Sequence, residues 1–294
     1  MKEFKAENNS RVDSYLIDLL GYSRSKIQKL IKDESILVNG LSTKNSYQLK
    51  IGDTITVSEK IEVTPVFEEE MPLDIVYEDE DVIVINKQNG LVVHPAIGNT
   101  HNTLANGLAF HFKNLSKKNT IRPGIVHRID AYTTGLLMVA KNDEAHDILS
   151  KELQNKETHR KYIALVWGIM NSDTATIDAP IGRDTKDRKK MAVIAGGKKA
   201  VTHLTVLERY ANATLVELVL ETGRTHQIRV HMNYIGHPVV NDPVYGRRKL
   251  IDGTGQCLHA EELGFKHPKT GKYMVFKSNL PETMINIINK FKDS

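Results

Sequence analysis

The sequence predicts an α+β protein with two domains joined by a linker. Helical and strand-like runs follow one another without the regular spacing of βαβ units, which argues against a doubly wound parallel sheet. The chain has 294 residues, enough for one large domain or two. An acidic stretch with two prolines at residues 61–73 separates a short first segment from the rest. We therefore expect domains at residues 1–60 and 74–294.

Composition excludes several classes of protein. The chain is 40% hydrophobic and 26% charged, as globular proteins are. No apolar run approaches the roughly 20 residues of a membrane span, and the N-terminus has no apolar signal core. A single cysteine, Cys257, excludes an internal disulfide framework and a cysteine-cluster metal site. We expect a soluble, cytoplasmic monomer with no membrane partner.

The net charge of +4 hides an asymmetry. Residues 61–82 hold nine acidic residues and no lysine or arginine, so the rest of the chain carries 40 basic against 27 acidic residues. Such an excess suits a surface that binds a polyanion. A generally basic, solvated surface explains the same composition equally well.

The first segment predicts two short helices and two strands. Apolar residues recur at helical spacing from Val12 to Leu20, Gly21 interrupts the pattern, and Ser23 is suited to cap a second helix. That helix displays Arg24, Lys26, Lys29 and Lys32, which either contact an RNA backbone or form a solvated face. Strands are expected at residues 36–38 and 54–57, with turns at Asn39-Gly40 and Gly52-Asp53.

The larger segment mixes strands with helices. Strand-like runs lie at residues 82–85, 162–167, 202–207 and 214–220, and a helical run lies at residues 142–155.

Three clusters in this segment carry polar side chains that folding alone does not require. Residues 124–130 (GIVHRID) place Asp130 beside Arg128 before an apolar run, where the arginine favours an ionised carboxylate that can act as nucleophile or base. An arginine–aspartate pair that only fixes a turn is the alternative. Residues 160–168 (RKYIALVWG) place Tyr162 beside two cations, either to stack on a base or to lie half-buried in a sheet.

The third cluster, residues 221–232 (ETGRTHQIRVHM), offers Arg224 and Arg229 to a carboxylate or a phosphate. Its two histidines are five residues apart, which is not the spacing of a helical zinc pair, so we expect no metal site. Phosphate-binding loops, dinucleotide fingerprints and the G-x-S-x-G elbow are all missing from the sequence, and no nucleotide cofactor is expected.

These clusters together resemble the RluA/RluD family of pseudouridine synthases. The motifs occur in the family's order over about residues 74–280, and they are supported by residues 93–95 (VHP), 236–238 (GHP), 242–246 and 258–260 (LHA). The first segment resembles the S4 RNA-binding domain at residues 11–13 (RVD), 23–26 (SRSK) and 38–40 (VNG). The resemblance implies a small S4-type domain followed by a catalytic domain with a mixed, mainly antiparallel central sheet.

The resemblance also implies a reaction and its residues. The N1–C1′ bond of a uridine in RNA is broken and the ribose is rejoined to C5, without a metal or organic cofactor. Asp130 matches the essential aspartate, which either adds covalently or takes a ribose proton. Tyr162 matches the residue that stacks on uracil and is implicated in removing the C5 proton, and Arg229 matches the partner of the aspartate. Arg128 matches the residue that fills the space of the flipped nucleotide.

We further expect RNA contacts from six residues: Arg128, Arg224, Arg24, Lys26, Lys29 and His94. The arrangement of an S4 unit ahead of this catalytic domain resembles that of the synthases that modify large-subunit (23S) ribosomal RNA. Two positions depart from the family: Ala131-Tyr132 replaces charged or polar residues, and Asn241 stands where glycine is usual.

Other functions stay open at this point. The chain could modify tRNA, because target choice depends on RNA shape that motifs do not display. A non-catalytic RNA-binding factor in ribosome assembly is the alternative from another class. A hydrolase of glycosidase type ranks last, because the motifs offer no obvious second acid for a pair of catalytic carboxylates.

Overall fold

The computed structural model describes residues 2–20, 22–58, 66–95, 100–118, 122–246 and 250–292. Gly21, the first part of the expected linker (residues 61–65) and residues 96–98 lie outside the described residues. The chain divides into two compact units, residues 1–65 and 66–294. None of the described helices is long and apolar enough to cross a membrane.

The smaller unit packs two helices against a three-stranded antiparallel sheet. The helices are α1 (Val12–Leu20) and α2 (Arg24–Lys32), and the strands lie in the order β1 (Lys2–Lys5), β3 (Thr54–Val57), β2 (Ile36–Val38). Both helices and strands β2 and β3 confirm the predictions from periodicity, whereas β1 was not predicted. The buried face of α2 contributes Ile27, Leu30 and Ile31 to the core of this unit.

Local signals in the smaller unit act as the sequence predicts. The Ser23 hydroxyl accepts a hydrogen bond from the backbone N–H of Lys26 at 3.3 Å, which caps α2. Asn39 and Gly40 have φ values of 51° and 77°, as a tight hairpin turn requires.

The larger unit is built on a nine-stranded sheet with helices on both faces. The strand order is β4 (Ile75–Glu78), β5 (Val82–Lys87), β6 (Thr134–Ala140), β13 (Leu258–Lys266), β7 (His159–Trp167), β12 (Ala213–Leu220), β11 (Val201–Arg209), β8 (Thr174–Asp178), and β14 (Tyr273–Lys277) pairs with β13. Among the described pairs of this sheet only β13 with β6 is parallel, so the mixed, mainly antiparallel sheet is confirmed. A separate ribbon joins β9 (Ile181–Arg183) to β10 (Met191–Val193).

Alternation along the central strands divides the core between the two faces. One face packs under α3 (Leu104–His111) and α5 (Gln227–Tyr234), and the other under α4 (Asp143–Asn155) and α6 (Glu282–Lys292). Every residue of β6 is buried, which explains why its sequence is apolar without alternation. The predicted strands and the helix at 142–155 are confirmed, with Asn142 as the N-cap of α4.

The larger unit begins before residue 74. Val66, Met71 and Leu73 pack against its core, and the Asn106 side chain donates a hydrogen bond to the carbonyl of Phe67 at 2.8 Å. The described part of the expected linker, residues 66–73, therefore belongs to this unit.

Gly135 allows the parallel contact that brings two motifs together. Its φ is 104°, and a Cβ placed there would lie 2.2 Å from the carbonyl oxygen of Ala260. Only glycine fits at this point, where β6 approaches β13.

Candidate active site

Asp130 lies in the loop that precedes β6, with 19% of its side chain exposed. Its carbonyl accepts a hydrogen bond from the backbone N–H of Thr133 at 3.0 Å. The ring of His127 accepts one from the backbone N–H of Met138 at 3.0 Å. Burial lowers the pKa of His127 to about 3, with a smaller contribution from Arg160, so the ring is neutral and can accept. The loop is thus attached to the strand that follows it.

Lys87 anchors the loop that carries Asp130. It is 1% exposed, and its Nζ donates to the carbonyls of Gln88, Leu91 and Ala131 at 2.9, 2.9 and 2.7 Å. Burial lowers the pKa of Lys87 to about 7, although Asp130 acts to raise it. The amine ties the end of β5 to the residue that follows Asp130.

Arg229 connects two carboxylates. Its Nη1 donates to Asp130 Oδ2 at 2.8 Å, while its Nε and Nη2 donate to the two oxygens of Asp242 at 2.7 and 2.8 Å. Arg229 and Asp242 are buried. A guanidinium held by a bidentate pair has little rotational freedom. Asp242 therefore fixes Arg229, and Arg229 fixes one oxygen of Asp130.

The charges of this network are strongly favoured. Burial acts to lower the pKa of Arg229, but Asp242 and Asp130 outweigh it and raise the pKa above its usual value. Burial likewise acts to raise the pKa of Asp242, but Arg229 and the backbone N–H groups of Tyr245 and Val244 hold it below its usual value. Arg229 and Asp242 are therefore both charged, and they form a row with Asp130.

The second oxygen of Asp130 is left open. Among the described residues Oδ1 accepts no hydrogen bond, and its nearest cationic candidate, His226 Nε2, is 3.7 Å away. Burial lowers the pKa of His226 despite Asp130, so this ring is neutral near pH 7. Its Nδ1 is hydrogen-bonded to the Tyr245 hydroxyl at 2.8 Å, and its φ is 57°, in the left-handed region just before α5.

Tyr162 lies on β7 and is 8% exposed. Burial raises the pKa of its phenol, Arg160 counteracts this effect, and Asp130 adds to it. Within the part of the chain that the structure describes, the Tyr162 hydroxyl makes no hydrogen bond to protein. The phenol is therefore available to a ligand.

The motifs line one cavity of about 590 Å³. It brings together six of the residues predicted from sequence: Asp130, Tyr162, Arg229, Arg128, Arg224 and His94. Arg128 is exposed, and its Nη1 donates to His94 Nε2 at 3.1 Å. Burial and the Arg128 charge lower the pKa of His94. This volume is within the range of small-ligand sites.

The other three predicted RNA contacts, Arg24, Lys26 and Lys29, lie on α2 of the smaller unit. Arg24 is exposed and pairs with the buried Asp13 at 3.4 Å. The Lys26 ammonium lies 3.8 Å from the centre of the Tyr22 ring, and Lys29 is exposed. These cations form a basic surface, and Arg24 also stabilises the unit.

Asn241 shows how the chain replaces a glycine. Its φ is 63°, a left-handed conformation that asparagine tolerates better than most residues. Its side chain donates to Asp252 Oδ1 and the Gly255 carbonyl at 2.8 and 2.9 Å. It also accepts from the backbone N–H of Ile251 at 2.8 Å. The departure from the family pattern thus adds contacts that hold the next loop beside Asp242.

Sequence reasoning did not assign roles to Asp242, Tyr245, Lys87 or Arg160. Asp242 and Tyr245 stood within the supporting motifs, and that position was the available signal. Lys87 ends an apolar run, which does not predict a buried amine.

His231 and His237 lie outside the cavity lining and serve the fold. The buried His231 donates from Nε2 to the Ala179 carbonyl at 2.9 Å, and His237 donates from Nδ1 to the Trp167 carbonyl at 2.9 Å.

One group among the described residues has the composition of a metal site: Asp79, Asp81 and His267. His267 Nε2 lies 2.6 Å from Asp79, and its Nδ1 accepts from the backbone N–H groups of Lys269 and Thr270. Burial acts to raise the pKa of Asp79, but hydrogen bonds from its neighbours hold it at about 2. Both ring nitrogens are thus engaged within the fold.

An oriented carboxylate, its buried arginine partner and a tyrosine lie together in one basic cavity, an arrangement suited to an anionic substrate such as a nucleic acid. Comparison with known proteins agrees: the family model described as RNA pseudouridylate synthase matches residues 81–234, and the S4 domain model matches residues 10–55. The chain belongs to the RNA pseudouridylate synthase family and is an isomerase of that class. Both resemblances seen in the sequence are confirmed.

Curated relatives match nearly the whole chain. An uncharacterized RNA pseudouridine synthase of Bacillus subtilis is 53% identical over 289 residues, covering 97% of this chain and 95% of the relative. Ribosomal large subunit pseudouridine synthase D of Neisseria meningitidis serogroup B is 43% identical, covering 95% of this chain and 78% of the relative. Among solved structures, human RNA pseudouridylate synthase domain containing 1 is 26% identical with a TM-score of 0.59, covering 78% of this chain and 98% of that protein.

Proposed function

We propose that this protein converts uridine to pseudouridine in RNA of the large ribosomal subunit, with Asp130 as the essential residue. The observation that carries the proposal is the unequal treatment of the two Asp130 oxygens: Arg229 holds Oδ2 at 2.8 Å, and Oδ1 is left open toward the cavity that Tyr162 also lines. Relatives named ribosomal large subunit pseudouridine synthase D support the choice of RNA.

The reaction is an isomerisation and needs no net reactant. The N1–C1′ bond breaks, the base turns, a C5–C1′ bond forms, the C5 proton leaves and N1 gains a proton. Asp130 starts this sequence through its open oxygen, either by adding covalently or by taking a ribose proton. Both routes require an ionised carboxylate in a fixed orientation, which the row from Asp242 through Arg229 supplies.

Tyr162 contacts the uracil base of the target nucleotide. Its ring offers a stacking surface for uracil. Its hydroxyl makes no hydrogen bond to the described residues, so it is available to take part in removing the C5 proton. Arg128 is exposed at the cavity and fills the space that the flipped nucleotide leaves. Flipping costs a few kcal/mol, and least for a base that is already single-stranded.

The smaller unit supplies RNA affinity. Lys26, Lys29 and Arg24 on α2 contact phosphates, which position an RNA without specifying its sequence. The monomeric state and the cytoplasmic location expected from the sequence stay predictions.

The test is tritium release from large-subunit ribosomal RNA labelled at uridine C5. The wild-type protein should release tritium, and Asp130→Ala should release none while it keeps most of its RNA affinity. Free RNA and subunits that lack the modification are assayed side by side. No release from either substrate by the wild-type protein would contradict the proposed substrate, and release from labelled tRNA instead would favour the tRNA alternative. A wild-type protein that binds RNA without turnover on any of these would be the assembly factor.

A further inference from the structure

Arg160 is a buried cation that no described residue neutralises. It lies on β7 and is 8% exposed. Among the described residues its guanidinium makes no hydrogen bond and no ion pair, and its Nε is buried without a partner. A buried charge without a partner is costly, so a feature of this kind calls for a reason.

The surroundings of Arg160 add positive charge. The Gly223-Arg224 turn lies against it, since a Cβ on Gly223 would be 2.5 Å from Arg160 Nη1. Arg224 is held in place by its Nε, which donates to the Lys199 carbonyl at 2.9 Å. Burial lowers the pKa of Arg160, Tyr162 acts to raise it, and the Arg224 charge acts to lower it further.

Carboxylates of the described lining do not balance the basic side chains of the cavity. Five basic residues besides Arg160 line it: Lys118, Arg122, Arg128, Arg224 and Arg229. The single acid of the described lining is Asp130, and Arg229 already occupies it. Two guanidinium groups that face a cavity without an acid between them are suited to an anion from outside.

We propose that Arg160 and Arg224 form a phosphate subsite, which binds a phosphodiester of the RNA strand next to the nucleotide whose base lies on Tyr162. The guanidinium fork matches two phosphate oxygens. Arg160 and Tyr162 are two residues apart on β7 and therefore lie on the same face of the strand, about 7 Å from each other. The subsite rests on the proposed function, because it assigns the phosphate to the same RNA substrate.

The experiment uses the full chain and the C5-tritiated ribosomal RNA that the wild-type protein turns over. Arg160→Gln should raise KM and the RNA Kd about ten- to a hundredfold, as expected for the loss of a charged hydrogen bond, with kcat changed by less than about threefold. The slope of log Kd against log salt should become shallower by about 0.7, the value of one phosphate contact on a single strand.

Two variants control the result. Arg209→Gln removes the same charge from a residue that does not line the cavity and pairs with Asp173 at 2.6 Å, so it should leave Kd and the salt slope unchanged. Arg160→Lys keeps the charge and loses the fork, so it should keep the wild-type slope with an intermediate Kd.

The outcomes separate the subsite from the proposed function. If the wild-type protein releases tritium but Arg160→Gln keeps its KM and slope, the subsite is wrong and the function stands. A fall in kcat with unchanged Kd would overturn the subsite and assign Arg160 to the Tyr162 phenol instead. If Arg160→Gln does not fold, an Arg160→Lys variant whose slope is shallower by a whole phosphate interaction would also contradict the subsite. Failure of the wild-type protein to release tritium counts against the function alone.

Discussion

Arg229 and Arg160 line the same cavity and are both buried, yet their surroundings are opposite. Arg229 donates three hydrogen bonds to two carboxylates, and the protein neutralises it completely. Arg160 has no acidic partner among the described residues and lies beside another guanidinium. Arg229 has its carboxylate partners within the protein, whereas Arg160 is available to an anionic ligand.

This difference separates two ways of using a buried charge. A pair that the protein completes itself fixes geometry before substrate arrives, as catalysis requires of Asp130. A buried cation without a partner lowers the stability of the free protein. An anion that binds it removes this penalty, and the free energy recovered adds to the affinity for the anion.

The largest effect is expected from Asp242→Asn, which leaves Arg229 with one carboxylate. Breaking a buried pair by changing one partner costs about 3–5 kcal/mol of unfolding free energy. Turnover should also fall, because Arg229 loses the bidentate contact that orients it. Urea unfolding and tritium release measure the two effects. Asp173→Asn is the matched control, because this acid is 84% exposed in its pair and should cost less than about 1 kcal/mol.

A double variant separates the position of Asp130 from stability. Replacing both Arg229 and Asp242 by apolar residues (Arg229→Met with Asp242→Leu) should recover most of the stability that Asp242→Asn loses, since a buried pair can be exchanged for apolar packing. Turnover should stay low, because Asp130 lacks its partner. Recovery of turnover together with stability would show that Arg229 serves only the fold.

Tyr162→Phe keeps the stacking ring and removes the hydroxyl. RNA affinity should remain within about twofold, and turnover should fall by about a hundredfold if the hydroxyl transfers a proton. Tyr162→Ala should also weaken binding, since base stacking contributes roughly 1–3 kcal/mol. Single-turnover rates and Kd, measured on the same RNA, distinguish the two contributions. A phenylalanine variant with full turnover would limit Tyr162 to stacking.

The stability that Asp242 contributes depends on pH in a defined direction. Its pKa in the folded protein lies below that of an unfolded chain, so its contribution is complete above about pH 4 and is lost as the pH falls through the lower folded pKa. The difference in unfolding free energy between the wild-type protein and Asp242→Asn should therefore shrink below about pH 4. An unchanged difference down to about pH 2 would contradict this assignment of Asp242.

The smallest effect is expected outside the cavity. Lys26→Gln with Lys29→Gln on α2 should weaken RNA binding and make the salt slope shallower by about 0.7–0.9 for each phosphate that is no longer neutralised. The kcat value should not change, because neither residue lines the cavity. Arg24 is left intact because its pair with Asp13 supports the unit. A lower kcat would give α2 a role in the reaction itself.

Periodicity and capping signals predicted the elements that have one buried face or a clear boundary. Helices α1, α2 and α4 and strand β3 are of this kind, and Ser23 caps α2 where expected. Helix α5 was not predicted, because its first six residues are all buried and its N-cap, His226, makes no side-chain capping bond. Strand β13 lies between β6 and β7, which are distant from it in the chain, and local patterns do not contain such partners.

The site was predicted in part for a similar reason. The motifs pointed to Asp130, Tyr162 and Arg229, and the structure brings all three to one cavity. Asp242 and Lys87 hold Arg229 and the loop that carries Asp130. Their roles were not assigned, because such supporting contacts depend on tertiary packing. That Arg160 finds no partner among the described residues is likewise a property of its surroundings, which sequence spacing does not display.

The most direct test of the contrast compares the unfolding free energies of Arg229→Met and Arg160→Met in the absence of RNA. Arg229→Met should lose about 3–5 kcal/mol, because it leaves two carboxylates without their cation. Arg160→Met should lose nothing or gain stability, because it removes a buried charge that no described residue pairs with and fills the space with an apolar chain. An equal loss in both variants would show that the protein neutralises Arg160 as well, and the distinction between the two arginines would be wrong.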